Sequence, residues 1–84
     1  MRTKHVQTLV RVFATPTPSS LGWGEVEAML RAYGATLAEG RGSRIRVELR
    51  GVRAVFHRPP PSKELDRGAV ASLRRFMEHA GVTP

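Results

Sequence analysis

The sequence predicts an α+β domain in which two helices pack on one face of a three-stranded antiparallel sheet, preceded by an extra N-terminal helix. Polar and apolar residues alternate along residues 43–49 and again along residues 52–57, the pattern of two half-buried strands. Segments with apolar residues at helical spacing lie on both sides of these strands. After the first helix, the expected order of elements is therefore α-β-β-β-α.

The composition limits both the size of the fold and the kind of partner. A chain of 84 residues forms one small domain with a single modest core. Fourteen Lys and Arg residues against seven Asp and Glu residues give a net charge of +7, which favours an anionic partner such as nucleic acid. The sequence has no cysteine, so disulfides and thiolate metal sites are excluded, and this composition suits a reducing cytoplasm.

Membrane and metal functions find no support in the sequence. No apolar run approaches the length of a membrane span, and we expect no signal peptide. The three histidines, at positions 5, 57 and 79, lack the spacing of metal ligands. We therefore expect neither membrane association nor a metal or small-molecule cofactor.

Residues 1–20 are predicted to be an N-terminal helix followed by a Pro-rich linker. The helix is expected from Thr3 to Ala14, because four apolar residues recur at i, i+3, i+4 and i+7. This stripe, which we expect to be buried, consists of Val6, Leu9, Val10 and Phe13. Two prolines in residues 15–20 disfavour the helical conformation of the residues before them and stiffen the linker. The compact unit is then expected to span residues 21–84.

The second helix is predicted from about Glu25 to Tyr33, with Gly24 as a weak N-cap and Gly34 as the left-handed stop. Its buried stripe is expected to be Val26, Met29, Leu30 and Tyr33. Trp23 precedes the helix, where packing against the core is favoured over stacking on nucleic-acid bases. A short first strand at residues 35–39 follows this helix.

Residues 43–57 are predicted to form a β-hairpin, because Arg50-Gly51 interrupts the alternation as a two-residue turn. If Leu49 pairs with Val52, the apolar residues of both strands share one side, and a one-residue slip would move them all into water. We expect Ile45, Val47, Leu49, Ala54 and Phe56 to face the helices. The opposite side then pairs Glu48 with Arg53, Arg46 with Val55, and Arg44 with His57.

Most of the positive charge lies on this hairpin. Residues 41–58 contain six arginines and one glutamate, which account for five of the seven net positive charges. The turn at residues 40–42 has two glycines, which allow a backbone to approach a phosphate. The polar side of the hairpin is therefore either a solvated sheet face or a surface that binds nucleic-acid phosphates.

The remaining residues complete the expected fold. Pro59-Pro60-Pro61 ends the sheet, since proline cannot donate to a strand ladder, and residues 62–68 are predicted to be a charged loop. A third helix is predicted from about Ala69 to Ala80, followed by Gly81. Its buried residues are expected to be Val70, Leu73, Phe76, Met77 and Ala80. Arg74 and Arg75 are expected to be solvated.

The order of these features resembles the HicA toxins of bacterial type II toxin–antitoxin pairs over about residues 21–82. The shared features are the helix ending at Gly34, Gly42-Ser43 at the second strand, His57-Arg58-Pro59 at the end of the third, the loop Lys63–Gly68, and the ending Ala80-Gly81-Val82. The resemblance implies a fold like that of double-stranded-RNA-binding domains (dsRBD-like). It further implies an endoribonuclease that cleaves mRNA (an mRNA interferase), and a HicB-type antitoxin that covers its RNA-binding face.

One position departs from the family pattern. The usual catalytic histidine of the family directly follows Gly-Ser, and here this position is Arg44. An arginine stays protonated, so Arg44 is suited to binding phosphate or stabilising charge and not to removing a proton. The expected hairpin register places His57 directly beside Arg44. We therefore expect His57 to transfer the proton and Arg44 to stabilise the charge.

RNA contacts are expected from the basic, glycine-containing hairpin and from the loop that follows it. The residues are Arg41, Gly42, Ser43, Arg44, Arg46, Arg53, Arg58 and Lys63. Three functions stay open at this point: an RNA-cleaving toxin, an RNA-binding module without catalysis, and a domain that acts through protein interaction. Incubation of the purified protein with RNA distinguishes the first function from the second.

Overall fold

The computed structural model describes residues 3–60 and 64–84, which form three helices and two antiparallel sheets. The elements are α1 (Thr3–Val12), β1 (Leu21–Gly22), α2 (Trp23–Ala32), β2 (Thr36–Glu39), β3 (Arg44–Leu49), β4 (Val52–His57), β5 (Glu64–Leu65) and α3 (Arg67–His79). Strands β2, β3 and β4 are adjacent in that order in the three-stranded sheet, and β1 pairs with β5. The order α2-β2-β3-β4-α3 confirms the predicted α+β class and is consistent with the dsRBD-like arrangement.

The β3–β4 hairpin has the predicted register. Leu49 lies opposite Val52, and Arg44 lies opposite His57 at the other end of the hairpin. The turn residues Arg50-Gly51 have φ values of +52° and +82°, and a two-residue type I′ turn requires positive φ at both positions. Along β3 the three apolar residues are buried and the three charged residues are exposed. Register and burial together confirm that the charged side of β3 points away from the helices.

The helices and both sheets share one core. Its fully buried large side chains are Leu9, Val12, Leu21, Val26, Met29, Leu30, Val47, Leu49, Val70, Leu73 and Met77. The rings of Phe56 on β4 and Phe76 on α3 meet edge to face, with their centroids 5.7 Å apart. Trp23 is also buried, and its indole Nε1 donates to Glu27 Oε1 at 3.0 Å, so the predicted core position of this side chain is confirmed.

The predicted buried stripe of α1 is wrong by one position. Val6 and Val10 are 41% and 50% exposed, whereas Thr8 and Val12, which lie outside the predicted stripe, are buried; Leu9 is buried as predicted. Thr8 tolerates burial because its hydroxyl donates to the carbonyl of Lys4 at 2.9 Å, one helical turn earlier. A polar residue therefore lies on the buried side of α1, and two valines lie on its exposed side.

Arg74 is not solvated, contrary to the prediction, because its guanidinium donates hydrogen bonds to the end of α1 and to the segment that follows it. Its Nε donates to the carbonyl of Val12 at 3.1 Å, and its Nη2 donates to the carbonyl of Ala14 at 2.9 Å and to Thr17 Oγ1 at 3.3 Å. Carbonyls at the end of a helix have no N–H partner within that helix, so they need such external donors. Arg75, in contrast, is exposed as predicted.

The predicted loop before α3 contains a short strand. In the β1–β5 pair, the buried Leu65 lies opposite the buried Leu21. The Asp66 carboxylate then accepts a hydrogen bond from the backbone N–H of Ala69 at 2.7 Å, and this N-cap starts α3. The other part of the predicted loop, including Lys63, lies outside the described residues.

Helices α2 and α3 end within one residue of their predicted ends but begin earlier, whereas α1 ends at Val12, two residues before the predicted Ala14. Both α2 and α3 start two residues before the predicted positions, and the N-cap of α2 is Gly22 and not Gly24. Gly34 and Gly81, with φ values of +100° and +75°, follow α2 and α3 in the left-handed conformation expected of a helix stop. None of the helices in the described ranges has the length and apolar character needed to cross a membrane.

Candidate nucleic-acid interface

The side of the three-stranded sheet that faces away from the helices, which we call the outer face, has three rows of three positions. The row next to the hairpin turn contains Thr36, Glu48 and Arg53, the middle row Ala38, Arg46 and Val55, and the last row Gly40, Arg44 and His57. Gly40 belongs to the last row because its N–H donates to the carbonyl of Arg44 at 2.8 Å. Residues in one row are direct cross-strand neighbours, and successive rows are about 6.6 Å apart along the strands.

Two arginines on the outer face have no acidic partner among the residues that the structure describes. These are Arg44 and Arg46, which are exposed on the central strand. Arg53 forms an ion pair with Glu48, with 3.3 Å between Nε and Oε1. An ion pair between exposed side chains contributes little free energy, so Arg53 also stays accessible to another anion. The face therefore presents three guanidinium groups against one carboxylate.

A shallow concavity of about 490 Å³ lies over the middle row and the row next to the turn. The side chains of Thr36 and Ala38 on β2 are small, whereas Arg46 and Arg53 are long, so the face is hollow between them. Val55 lines the same concavity and is 56% exposed, the largest exposed fraction of any large apolar side chain in residues 3–60 and 64–84. The outer face thus places an exposed apolar side chain on the edge strand β4 beside the arginines of the central strand.

His57 lies beside Arg44 at the end of the face away from the turn. The backbone N–H of Arg58 donates to the carbonyl of Ser43 at 2.8 Å, so residues 43 and 58 form a hydrogen-bonded pair. The next pair, 44 with 57, is then non-hydrogen-bonded, and such pairs have Cα atoms about 4.5 Å apart with their side chains close together. The imidazole and the guanidinium can therefore reach the same small group, such as one phosphate.

His57 also lines a second concavity, a groove of about 510 Å³ between the end of β4 and the start of α3. The other wall of this groove contains Asp66 and Ala69 from the N-terminal end of α3. β4 is an edge strand of the three-stranded sheet, and His57 borders both the outer face and this groove.

The side chains of the outer face offer two kinds of chemistry. Guanidinium groups bind phosphate through charge-assisted and often bidentate hydrogen bonds. An imidazole accepts and releases a proton. In the described part of the chain, no group of three or more His, Asp or Glu side chains is arranged to hold a metal ion.

A protein-family model described as the HicA toxin of bacterial toxin–antitoxin matches residues 23–82. The match runs from the first residue of α2 to Val82 after α3, and it includes all three strands of the outer face. The chain belongs to the HicA toxin family. No curated protein and no solved structure matches it. As a HicA-family member, the protein has the role of the toxin in a toxin–antitoxin pair.

Seven of the predicted site residues of this HicA-family chain lie on the outer face or directly next to it. Four are on the face itself: Arg44, Arg46, Arg53 and His57. Three more, Arg41, Gly42 and Ser43, are exposed in the turn that joins β2 to β3, beside the row of Arg44 and His57. Gly42 has a φ of +63°, a conformation that favours glycine.

Of the other two predicted contacts, only Arg58 is among the described residues. Arg58 follows His57 directly, so its side chain points to the opposite side of the strand, where it forms an ion pair with Glu39. It reaches an anion on the outer face only by leaving Glu39. Lys63 lies outside the described residues.

The apolar part of the outer face is not among the predicted site residues. Its members are Thr36, Ala38 and Val55. The signal for Val55 is visible in the sequence, because it is the only large apolar residue on the predicted polar side of the hairpin. The two β2 residues carry no such signal, since their position depends on how β2 pairs with β3.

Proposed function

We propose that this HicA-family protein binds mRNA on the outer face and cleaves it, which inhibits translation in the cytoplasm until a HicB-type antitoxin covers that face. The observation that carries the proposal is the position of Arg44 and His57 as cross-strand neighbours. Family membership supports the toxin role, and the exposed guanidinium groups support an anionic substrate.

Binding depends on the phosphates. Arg44 and Arg46 are two residues apart on β3 and are therefore about 6.6 Å apart along the strand, on the same side of the sheet. We expect them to contact neighbouring phosphates of one RNA strand, while Arg53 and the turn at residues 41–43 extend the contact at either end. Such contacts position the RNA without reading its sequence.

Cleavage begins with a proton transfer. His57 accepts the proton of a ribose 2′-hydroxyl, and the 2′-oxygen forms a bond to the adjacent phosphorus. The bond from that phosphorus to the 5′-oxygen of the next nucleotide breaks, and His57 gives its proton to the departing oxygen. The products are a 2′,3′-cyclic phosphate and a free 5′-hydroxyl. Arg44 donates hydrogen bonds to the non-bridging oxygens as negative charge develops on the phosphorus centre.

The test compares RNA with DNA of the same sequence, because DNA lacks the 2′-hydroxyl nucleophile. We expect the purified protein to bind both strands in a salt-dependent manner and to cleave only the RNA, with products that end in a 2′,3′-cyclic phosphate. An Arg44→Ala variant is expected to lose both affinity and cleavage rate. Cleavage of the DNA, or RNA products that end in a 3′-hydroxyl, would contradict this chemistry.

A second candidate function is RNA binding without cleavage, through phosphate contacts alone or as part of a protein complex. Arg44 favours it, because the residue after Gly-Ser is the catalytic histidine in the family pattern, and an arginine does not remove protons. Under this function, the protein purified free of its antitoxin binds RNA and leaves it intact. That result would replace the catalytic proposal.

A further inference from the structure

We infer that the concavity on the outer face is a subsite for one unstacked nucleobase of single-stranded RNA, with Val55 as the surface on which the base lies. The inference rests on the proposed function, since it takes RNA as the ligand. It adds a base contact to the phosphate contacts and assigns a role to three residues that the phosphate contacts do not use. These are Thr36, Ala38 and Val55.

Val55 is the first observation that points to a base. It lies in the middle row, between the three guanidinium groups of the outer face, and 56% of it is exposed. Proteins that bind single-stranded nucleic acid combine a positively charged groove with aromatic side chains on which bases stack, and pockets that hold an unstacked base also use apolar side chains. A valine surrounded by arginines supplies both parts within one small area.

The shape of the face is the second observation. The concavity of about 490 Å³ exists because Thr36 and Ala38 are short, and it leaves room for a flat base on Val55 beside Arg46, which lies between Ala38 and Val55 in the middle row. The long side chain of Arg46 lies in the same row, where it can stack on the base or hold its phosphate.

The charge distribution sets the direction of the nucleotide. Glu48 lies at the end of the concavity next to the hairpin turn, where its carboxylate is 3.3 Å from Arg53 Nε and offsets the positive charge of that row. Arg44 and Arg46, which have no acidic partner in residues 3–60 and 64–84, lie at the far end and in the middle of the face. The RNA backbone therefore follows these two arginines, and the base extends from it toward Val55.

This arrangement selects single-stranded RNA although the fold is dsRBD-like. In a duplex the bases are stacked and paired, so their flat surfaces are not available to a protein side chain. A duplex can contact the arginines through its phosphates but cannot fill the concavity. We therefore expect the protein to bind a single strand more tightly than a duplex of the same length.

The test measures the affinity of the intact protein for two 2′-O-methyl oligonucleotides, one with bases and one without. The methyl group blocks the nucleophile, so binding is measured without cleavage. Val55→Thr keeps the shape and the β-branch but replaces one methyl group, and we expect it to weaken binding of the base-containing strand about fourfold, the effect of one buried methyl group. Val55→Phe is expected to strengthen that binding, because bases stack on aromatic rings. Neither change is expected to affect the abasic strand.

Val10→Thr is the matched control, because Val10 is 50% exposed on α1 and lies outside the sheet. It is expected to leave both affinities unchanged.

Equal wild-type affinities for the two strands, or equal effects of Val55→Thr on both, would overturn the subsite while leaving RNA binding in place. Failure to bind either strand would overturn the proposed function as well. If Val55→Thr weakens binding of a poly-glutamate peptide and not of the base-containing strand, the concavity is a protein-docking surface and the inference is wrong.

Discussion

A guanidinium group stabilises a fold when it satisfies backbone carbonyls that have no other donor, and two adjacent residues of α3 differ in this respect. Arg74 donates to the carbonyl of Val12, the last residue of α1, and to a carbonyl and a hydroxyl of the segment that follows α1. Arg75 donates only to Ser72 Oγ, at 3.1 Å, and is exposed. Arg74 therefore connects the N-terminal helix to the rest of the protein, whereas Arg75 lies in water.

Replacement of Arg74 by Met tests this difference, because methionine keeps the apolar part of the side chain and removes the donors. We expect Arg74→Met to lower the free energy of unfolding by about 2 kcal/mol, the scale for hydrogen bonds from a charged group. The measurement is urea denaturation of both the variant and Arg75→Met, which is expected to change stability by less than about 0.5 kcal/mol. Equal effects of the two substitutions would show that the contacts of Arg74 contribute no stability.

At the scale of single elements, the β3–β4 turn contains an unfavourable conformation. Arg50 has a φ of +52°, which costs a residue with a Cβ about 1–2 kcal/mol relative to the right-handed region. Its side chain gains little in return, since Nη1 donates to the carbonyl of Gly81 at 3.4 Å and is exposed. Asparagine followed by glycine is the preferred sequence for this type of turn.

Arg50→Asn is therefore expected to stabilise the protein by about 0.5–1 kcal/mol, measured by chemical denaturation. The control is Arg53→Asn, which makes the same chemical change within a strand and removes the ion pair with Glu48. Because asparagine is unfavourable in strands, this control is expected to be neutral or destabilising. A loss of stability in Arg50→Asn would contradict the assignment of strain to the turn.

Individual elements show where a sequence pattern is enough to predict the structure and where it is not. The hairpin register is predictable because Arg50-Gly51 marks a two-residue turn and a one-residue slip would move the apolar residues of a strand into water. The buried side of α1 is not predictable from the pattern, because Thr8 is buried with its hydroxyl bonded to its own helix while Val6 and Val10 face water. The strand Glu64–Leu65 is not predictable either, since two residues are too short to show a period.

At the scale of the whole molecule, three of the seven net positive charges lie on one surface, where four arginines accompany one glutamate. The outer face and the adjoining turn contain Arg41, Arg44, Arg46 and Arg53. The pairing of Arg44 with His57 was predictable from alternation alone, because residues of one parity share one face. The concavity was not, because it depends on how β2 pairs with β3 and on the small side chains that this pairing brings to the face.

This charge distribution predicts how salt affects RNA binding. Each phosphate contact contributes about 0.7 to the slope of log affinity against log salt concentration for a single strand. Arg46→Ala is expected to lower that slope by about this amount and to weaken binding of all sequences alike. Arg75→Ala removes the same charge from α3 and is expected to leave the slope unchanged. The measurement is a salt titration of the affinity, and equal slopes for wild type and Arg46→Ala would argue against a phosphate contact at Arg46.

The most direct test of the account is the single-turnover cleavage rate of His57→Ala at saturating protein concentration, with RNA affinity measured in parallel. If His57 transfers the proton, the rate falls by about a hundredfold or more while RNA binding changes little. His79→Ala, which removes an exposed histidine at the end of α3, is expected to cleave at the wild-type rate. Undiminished cleavage by His57→Ala, or undiminished toxicity when it is expressed, would contradict the proposed mechanism.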